Sequence, residues 1–372
     1  MDKLLNYARS NVDLCVTHDS INKGLYAEYG VKKGLRDENG QGVLTGLTNI
    51  SQITAFKYID GAKTPCDGEL LYRGYNVQDI VNGSTGKKFI FEEGAYLLLF
   101  GELPTESQLS KFKIALSDGM ELPTNFTRDV IMKAPTADIM NSMTRSILTL
   151  ASYDKDKDNL ELSNVLRQCM MLISTFPMMA AYAYHAYNHY ENNGSMYIHR
   201  PDPELSIAEN FLRMIRPDQK YTELEARVLD IALLLHMEHG GGNNSTFTTR
   251  VVTSSGSDTY SAIAAAMSSL KGKKHGGANI MVMNMIDDIR HHVSDFYDED
   301  EIENYLKKIL NKETFDKQGL IYGMGHAVYS LSDPREKVFK KFVEQLAEEK
   351  HRNDDMTLYN NIEKLAPKVI SE

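Results

Sequence analysis

Cysteine is scarce in this chain: Cys15, Cys66 and Cys169, widely scattered. An odd number at such spacing supplies neither a disulfide frame nor a thiolate metal cluster, and reads as reduced thiols in a cytosolic protein. Long apolar runs are missing as well. None approaches the ~18–20 residues of a membrane span. The opening Met1-Asp2-Lys3-Leu4-Leu5 has no basic stretch followed by an apolar one, so a secretory signal is not supported. Basic charge is outnumbered, with a formal net charge of −10, which argues against a nucleic-acid partner. Solenoid-like repeats and low-complexity linkers are absent. Strand signals are few and do not alternate with helices, which disfavours a doubly wound sheet.

What remains is an ordinary soluble composition, 42% hydrophobic and 25% charged over 372 residues. That length suits two or more domains. The pattern is mostly helical. Leu162, Val165, Leu166, Met170, Leu172, Ile173, Met178 and Met179 fall at helical spacing within 160–191, interrupted only by Pro177, and predict a long kinked helix or two abutting ones. Leu224, Val228, Ile231, Leu234 and Leu235 predict a helix over 223–239 with His236 and His239 at its end and glycines 240–242 stopping it. Residues 257–270 are rich in alanine and methionine and predict a buried helix. Ser332-Asp333-Pro334 is a helix start, opening a helix with Val338, Phe339, Phe342, Val343 and Leu346 on one face. Glycine-flanked stretches at 43–48 and 69–75 predict short hairpin strands.

Three segments place histidine beside glycine. They are His236-Met237-Glu238-His239-Gly240-Gly241-Gly242-Asn243-Asn244-Ser245, Lys274-His275-Gly276-Gly277-Ala278-Asn279-Ile280, and Gly323-Met324-Gly325-His326-Ala327-Val328 followed by Asp333-Pro334-Arg335. Imidazoles exchange protons near neutral pH. Glycines admit close backbone approach, and an arginine grips a carboxylate through two parallel hydrogen bonds. The set reads as a site for proton transfer on a small carboxylated substrate, with Lys271, Lys273 and Lys274 as local basic charge. The acidic balance of the whole chain requires only that such a pocket be locally basic. A helix start and nearby lysines both favour a neutral His275. Zinc at His236 and His239 is disfavoured. The metalloprotease pattern needs histidines four apart with glutamate directly after the first, whereas these are three apart and Met237 follows His236. Gly323-Met324-Gly325-His326 lacks the third glycine and preceding strand of a dinucleotide fingerprint.

The order His-x-x-His-Gly-Gly-Gly-Asn, His-Gly-Gly-Ala-Asn, then Gly-x-Gly-His-Ala-Val with Asp-Pro-Arg resembles the citrate synthases. Leu71–Tyr75 and Ala95–Thr105 resemble the family too, so the similarity covers nearly the whole chain. The resemblance implies an all-α, two-domain fold with a minor N-terminal β-hairpin. The large domain is expected at 1–275 and the small one at 276–372, with the active site in the cleft and a cytoplasmic homodimer. It implies condensation of acetyl-CoA with oxaloacetate and water to citrate and CoA, with acetyl-CoA as co-substrate, no permanently bound cofactor and no metal. In those terms His275 stabilises the enol of acetyl-CoA, and His326 protonates the oxaloacetate carbonyl oxygen. His239 and Arg335 hold oxaloacetate, Asn243 orients the site, and the loop with Gly323, Gly325, Ala327 and Val328 lies along CoA. A 2-methylcitrate synthase using propionyl-CoA would share these residues, since one methylene shifts pocket fit by only ~1–3 kcal/mol.

Two departures accompany the resemblance. The family's general-base aspartate sits well after Asp-Pro-Arg in an Asp-Phe-Tyr-Ser-Gly-like segment, which is not met before Glu372, and Asp354 and Asp355 come too early for that role. The chain thus reads as C-terminally truncated and catalytically impaired, with a citrate-synthase-like binding module as the alternative. The family also often carries proline where Lys273 stands and a basic residue near Ser330.

Overall fold

A computed structural model describes residues 22, 24–30, 48–273, 275–324, 329 and 331–371. Contacts divide the chain into Met1–Gly46 and Leu47–Glu372. Within the first unit a short helix, α1, spans Gly24–Glu28.

The second unit begins with an antiparallel sheet of order β1-β2-β3: β1 Ser51–Ile59, β2 Ala62–Tyr72 and β3 Tyr75–Asn76. Asp60 and Gly61 join the first pair with φ of 51° and 79°, and Arg73 and Gly74 join the second with 49° and 90°. Two central residues with positive φ make the tight turn whose twist matches that of the flanking strands. Ile59 pairs with Ala62 and Tyr72 with Tyr75, and a bulge interrupts the first ladder between Thr54 and Phe56. The stretch expected as a strand at 69–75 is thus the end of β2, a turn and the start of β3. Of the expected strand at 43–48, residues 43–47 lie outside the described residues.

Helices make up the rest: α2 Val77–Gly83, α3 Ile90–Phe100, α4 Glu106–Asp118, α5 Ile139–Leu150, α6 Leu162–Glu191, α7 Ile207–Ile215 and α8 Glu223–Leu235. They continue as α9 Asn244–Ser254, α10 Thr259–Leu270, α11 Ala278–His292, α12 Glu299–Leu310, α13 Pro334–Glu349 and α14 Asn353–Ser371. The fold is mainly helical with one small sheet, as the sequence implied.

The expected long helix is α6, a single run of 30 residues through Pro177. Its apolar face meets α5 and α10 around Ile147, Leu172, Met179, Tyr182, Tyr260 and Met267. A second apolar core joins α11, α12 and α14 through Met285, Ile289, Ile302, Leu306, Leu358 and Leu365. A third joins β2, α2, α3 and α8 through Leu70, Tyr72, Val77, Leu97 and Leu234, with Val338, Phe339 and Phe342 of α13 packed against it. This third core positions the site, because β2, α8 and α13 all end or begin there.

Buried carboxylates fasten the helix starts. Asp230 of α8 accepts the backbone N–H groups of Ile90 and Phe91 at 3.0 and 2.8 Å, and Glu92 of α3 accepts that of Ile207 at 2.8 Å. Each satisfies donors that a helix start leaves without an intrahelical acceptor. Burial, and then the charge of Asp230, push the Glu92 carboxyl up to about 8.

Candidate active site

Helix α8 ends at Leu235, earlier than the apolar spacing implied. His236 is the C-cap, exposed, with Nδ1 donating to its own helix at Ala232 O, 2.6 Å away. His239 lies beyond the helix, outside regular secondary structure. The two imidazoles therefore do not share a helix face, and the expectation of a helix over 223–239 with both at its end is corrected. Among the described residues, no group of three or more His, Cys, Asp or Glu side chains is arranged to hold a metal ion.

The reason α8 stops there comes from β2. The hydroxyl of Tyr72, fully buried, points at the carbonyls of Leu234, Leu235 and Glu238 at 3.1, 3.5 and 3.1 Å. It caps the last turn and draws the next residues out of helical register. Gly240 follows with φ +83°, and a Cβ there would stand 2.8 Å from Ile53 Cδ1. His239 is half-buried with its ring edge-on to Tyr329 at 5.4 Å. Tyr329 is itself 4% exposed, and burial lifts its phenol to about 12.

Asn243 caps α9. Its Oδ1 accepts the Thr246 N–H at 2.9 Å, and its Nδ2 donates to Gly240 O at 2.9 Å. Those two bonds fix which end of the amide faces the helix. Ser245 Oγ lies 2.9 Å from Asn243 Oδ1 and 3.1 Å from His275 Nε2. A hydrogen-bonded path therefore runs from the turn after His239, through Asn243 and Ser245, to His275. Sequence reading left Ser245 without a role. It stood in the quoted motif, but only the meeting of two segments thirty positions apart gives it a partner.

The turn before α11 carries His275. A Cβ at Gly276 would come within 2.7 Å of Leu270 O, and one at Gly277 within 2.9 Å of Lys271 O and Gly272 O. Both glycines are therefore required by close backbone approach. His275 is half-buried, and burial holds its imidazole below the ordinary histidine range. Burial thus favours the neutral ring, where the sequence pointed to the helix start and the lysines. Lys271 is engaged elsewhere, with Asp138 at 2.5 Å, Lys273 is exposed, and Lys274 lies outside the described residues.

Asp333 caps α13 and Pro334 opens it, as the sequence implied. Asp333 accepts the Arg335 backbone N–H at 2.9 Å, and its carboxylate receives Nε and Nη2 of the Arg335 guanidinium at 3.1 and 2.7 Å. The arginine does grip a carboxylate in fork fashion, but in this state it is one from its own chain. It is largely buried beside Tyr329 and Tyr72, each of which feels its charge. Gly68 lets the segment before α13 lie against β2, since a Cβ would meet Ser332 O at 2.3 Å. Gly323 has φ +87° in a turn closed by Met324 N–H to Ile321 O, and lies against Val282 of α11. His326, Gly325, Ala327 and Val328 lie outside the described residues.

A neutral imidazole held by a hydroxyl, and a second imidazole in the same cluster as an arginine at a helix start, suit proton transfer on a carboxylated substrate. Residues 39–372 match the family model described as citrate synthase, C-terminal domain. The chain belongs to the citrate synthase family. It is 33% identical over 330 residues to a citrate synthase from Corynebacterium glutamicum, covering 87% of this chain and 69% of that one. It is 34% identical over 280 residues to a 2-methylcitrate synthase from Shewanella oneidensis, covering 75% and 67%. The citrate synthase of Thermoplasma acidophilum, solved as a ternary complex with carboxymethyl coenzyme A and oxaloacetate, superposes with a TM-score of 0.74 at 27% identity, covering 91% of this chain and 79% of that one.

Proposed function

We propose that this chain condenses acetyl-CoA with oxaloacetate and water to give citrate and CoA. The observation that carries the reading is the 3.1 Å contact between Ser245 and His275, continued through Asn243 to the turn that holds His239. Ser245 has one hydroxyl hydrogen and two acceptors within reach. In the structure it is donated to Asn243 Oδ1; when it turns instead to His275 Nε2, giving up that bond, the neutral ring carries its own hydrogen on Nδ1 and can donate it to the thioester oxygen. A neutral donor suits an enol, because it stabilises the oxygen without a full proton transfer, as the neutral histidine of triosephosphate isomerase does for its substrate carbonyl.

A base first takes a methyl proton of acetyl-CoA, and the C–H electron pair becomes the enol double bond. The enol carbon attacks the oxaloacetate ketone carbon. The ketone oxygen takes a proton from His326, and water then cleaves the thioester to release CoA. His239 and Arg335 hold oxaloacetate, with Arg335 exchanging Asp333 for a substrate carboxylate. The Gly323–Val328 loop lies along CoA.

The first step needs a carboxylate base, and three aspartates within residues 1–372 that could be considered for it are already engaged locally. The single Asp-Phe-Tyr, Asp295-Phe296-Tyr297, precedes Asp-Pro-Arg, and the Asp295 carboxylate accepts the Tyr297 N–H at 2.8 Å. Asp354 accepts from Tyr297, and Asp355 is paired with Arg290 and Arg352. None of the three is offered to a substrate in place of the family's base. Release of free CoA, followed with a thiol reagent, tests the reading. Release that requires both acetyl-CoA and oxaloacetate is expected, and release that ignores oxaloacetate would overturn it. Propionyl-CoA run in parallel tests the second reading, 2-methylcitrate synthesis, which the Shewanella relative favours.

The proposed division into a large domain, 1–275, and a small one, 276–372, has the separate apolar core of α11, α12 and α14 in its favour, while α13 of the second stretch packs on the core of β2, α2, α3 and α8. A cytoplasmic homodimer built on 160–191 and 243–270 completes the proposal. Its support is that no side chain of α9 is fully buried within the chain, with Val251 51% exposed, and that Leu162 and Tyr184 of α6 are also exposed. Sedimentation as a monomer at micromolar concentration would count against it. Among the described residues no helix is long and apolar enough to cross a membrane.

A further inference from the structure

We propose that Glu238 is a positioning residue for His239, closing a clamp around its backbone so that the imidazole meets oxaloacetate in one orientation. The proposal rests on the functional reading above. Its basis is that both sides of residue 239 are tied to the sheet. On the preceding side, Glu238 O accepts the buried Tyr72 hydroxyl at 3.1 Å. On the following side, the Gly240 N–H donates to Glu238 Oε1 at 2.6 Å, so the glutamate side chain arches over the histidine it precedes. The same Oε1 accepts the Ser51 hydroxyl at the start of β1, 3.0 Å away. Gly240 can complete the arch because it alone tolerates φ +83° with Ile53 against it. Hydrogen bonds to a charged acceptor are about twice as strong as neutral ones, and two converge on one oxygen. The imidazole of His239 then has Tyr329 as its edge-on neighbour at 5.4 Å, and Tyr329 in turn feels the charge of Arg335. Glu238 touches no reacting atom in this arrangement. Its effect passes through the backbone it ties down.

The sign of the effect separates this role from a through-space one. A carboxylate near the site repels a dianion, so neutralising it would tighten oxaloacetate binding if charge alone mattered. A clamp predicts the reverse. Oxaloacetate titrated calorimetrically into the 372-residue chain is expected to bind about tenfold more weakly to Glu238→Ala, the equivalent of one hydrogen bond to a charged group. Glu238→Gln keeps an acceptor oxygen and is expected to stay within about threefold of wild type. Equal or tighter binding by Glu238→Ala overturns the proposal. If Glu238→Ala does not fold, Ser51→Ala removes one donor from the same oxygen. It should weaken binding about threefold, and unchanged binding there overturns the clamp. Absence of oxaloacetate binding by the wild-type chain would refute the functional reading. The clamp is then judged on the NMR resonance of the His239 ring. A shift in Glu238→Ala that Glu238→Gln reverses supports it, and an unmoved resonance overturns it.

Discussion

Replacing Glu92 by glutamine should change how stability depends on pH. Glu92 is 3% exposed, its Oε1 accepts Ile207 N–H, and its Oε2 has no hydrogen-bond partner among the described residues. Burial and the neighbouring Asp230 charge raise its carboxyl from the usual 4.5 to about 8. The folded chain therefore holds a proton that the unfolded chain has released above 4.5. Between those values the folded state binds more protons, so stability falls as pH rises and levels off above about 8. At ~1.36 kcal/mol per pH unit, Glu92 removes about 4 kcal/mol between pH 5 and 8. Glutamine keeps the acceptor for Ile207 and cannot ionise. Its NH₂ meets the same unpartnered space at a pH-independent cost of ~1–3 kcal/mol. The difference between variant and wild type should thus swing by about 4 kcal/mol in favour of glutamine from pH 5 to 8. With an unfolding entropy of ~2.1 cal/mol/K per residue, that is a relative Tm change of about 5 °C. Thermal melts followed by circular dichroism across this range would decide it. Parallel curves for the two proteins would refute the assignment of the proton to Glu92.

Other substitutions probe the site itself. Ser245→Ala should lower turnover about tenfold or more while leaving oxaloacetate affinity unchanged, because it frees the His275 ring, and CoA-release kinetics with separate substrate titrations check this. The His275 ring should titrate below 6.5 by NMR, following the direction set by its burial, and a midpoint at or above that value would contradict the neutral-donor role. Gly240→Ala should destabilise the chain by about 1–3 kcal/mol, since φ +83° suits no β-carbon and Ile53 crowds the position. An unchanged melting temperature would mean that the turn is not as described.

Much of this arrangement could be read from the chain. Apolar spacing located α6, α10 and α13, and Asp333-Pro334 marked the start of α13 to the residue. The histidine–glycine segments picked out His239, Asn243, His275 and Arg335. Other features depended on partners far away in sequence. The end of α8 was placed too late because its cap is the hydroxyl of Tyr72, more than 160 positions upstream, which no local pattern reports. β1 was missed although Asp60-Gly61, between Ile59 and Ala62, is a hairpin signal. Its exposed Phe56, Tyr58 and Ile59 blur the alternation expected of a half-buried strand. Ser245 is an ordinary residue near a helix start, and its meaning comes from His275 folding back onto it. The Arg335–Asp333 pair was legible as a motif, but its fork closes on itself until a substrate competes.

The most direct test of the site is oxaloacetate binding by Arg335→Ala against wild type. The account predicts saturable binding of one oxaloacetate per wild-type chain, about 30-fold weaker in Arg335→Ala through loss of ~2 kcal/mol of charge-assisted hydrogen bonding, and little changed in His275→Ala. Equal affinity in Arg335→Ala and wild type, or no binding to either, would contradict it.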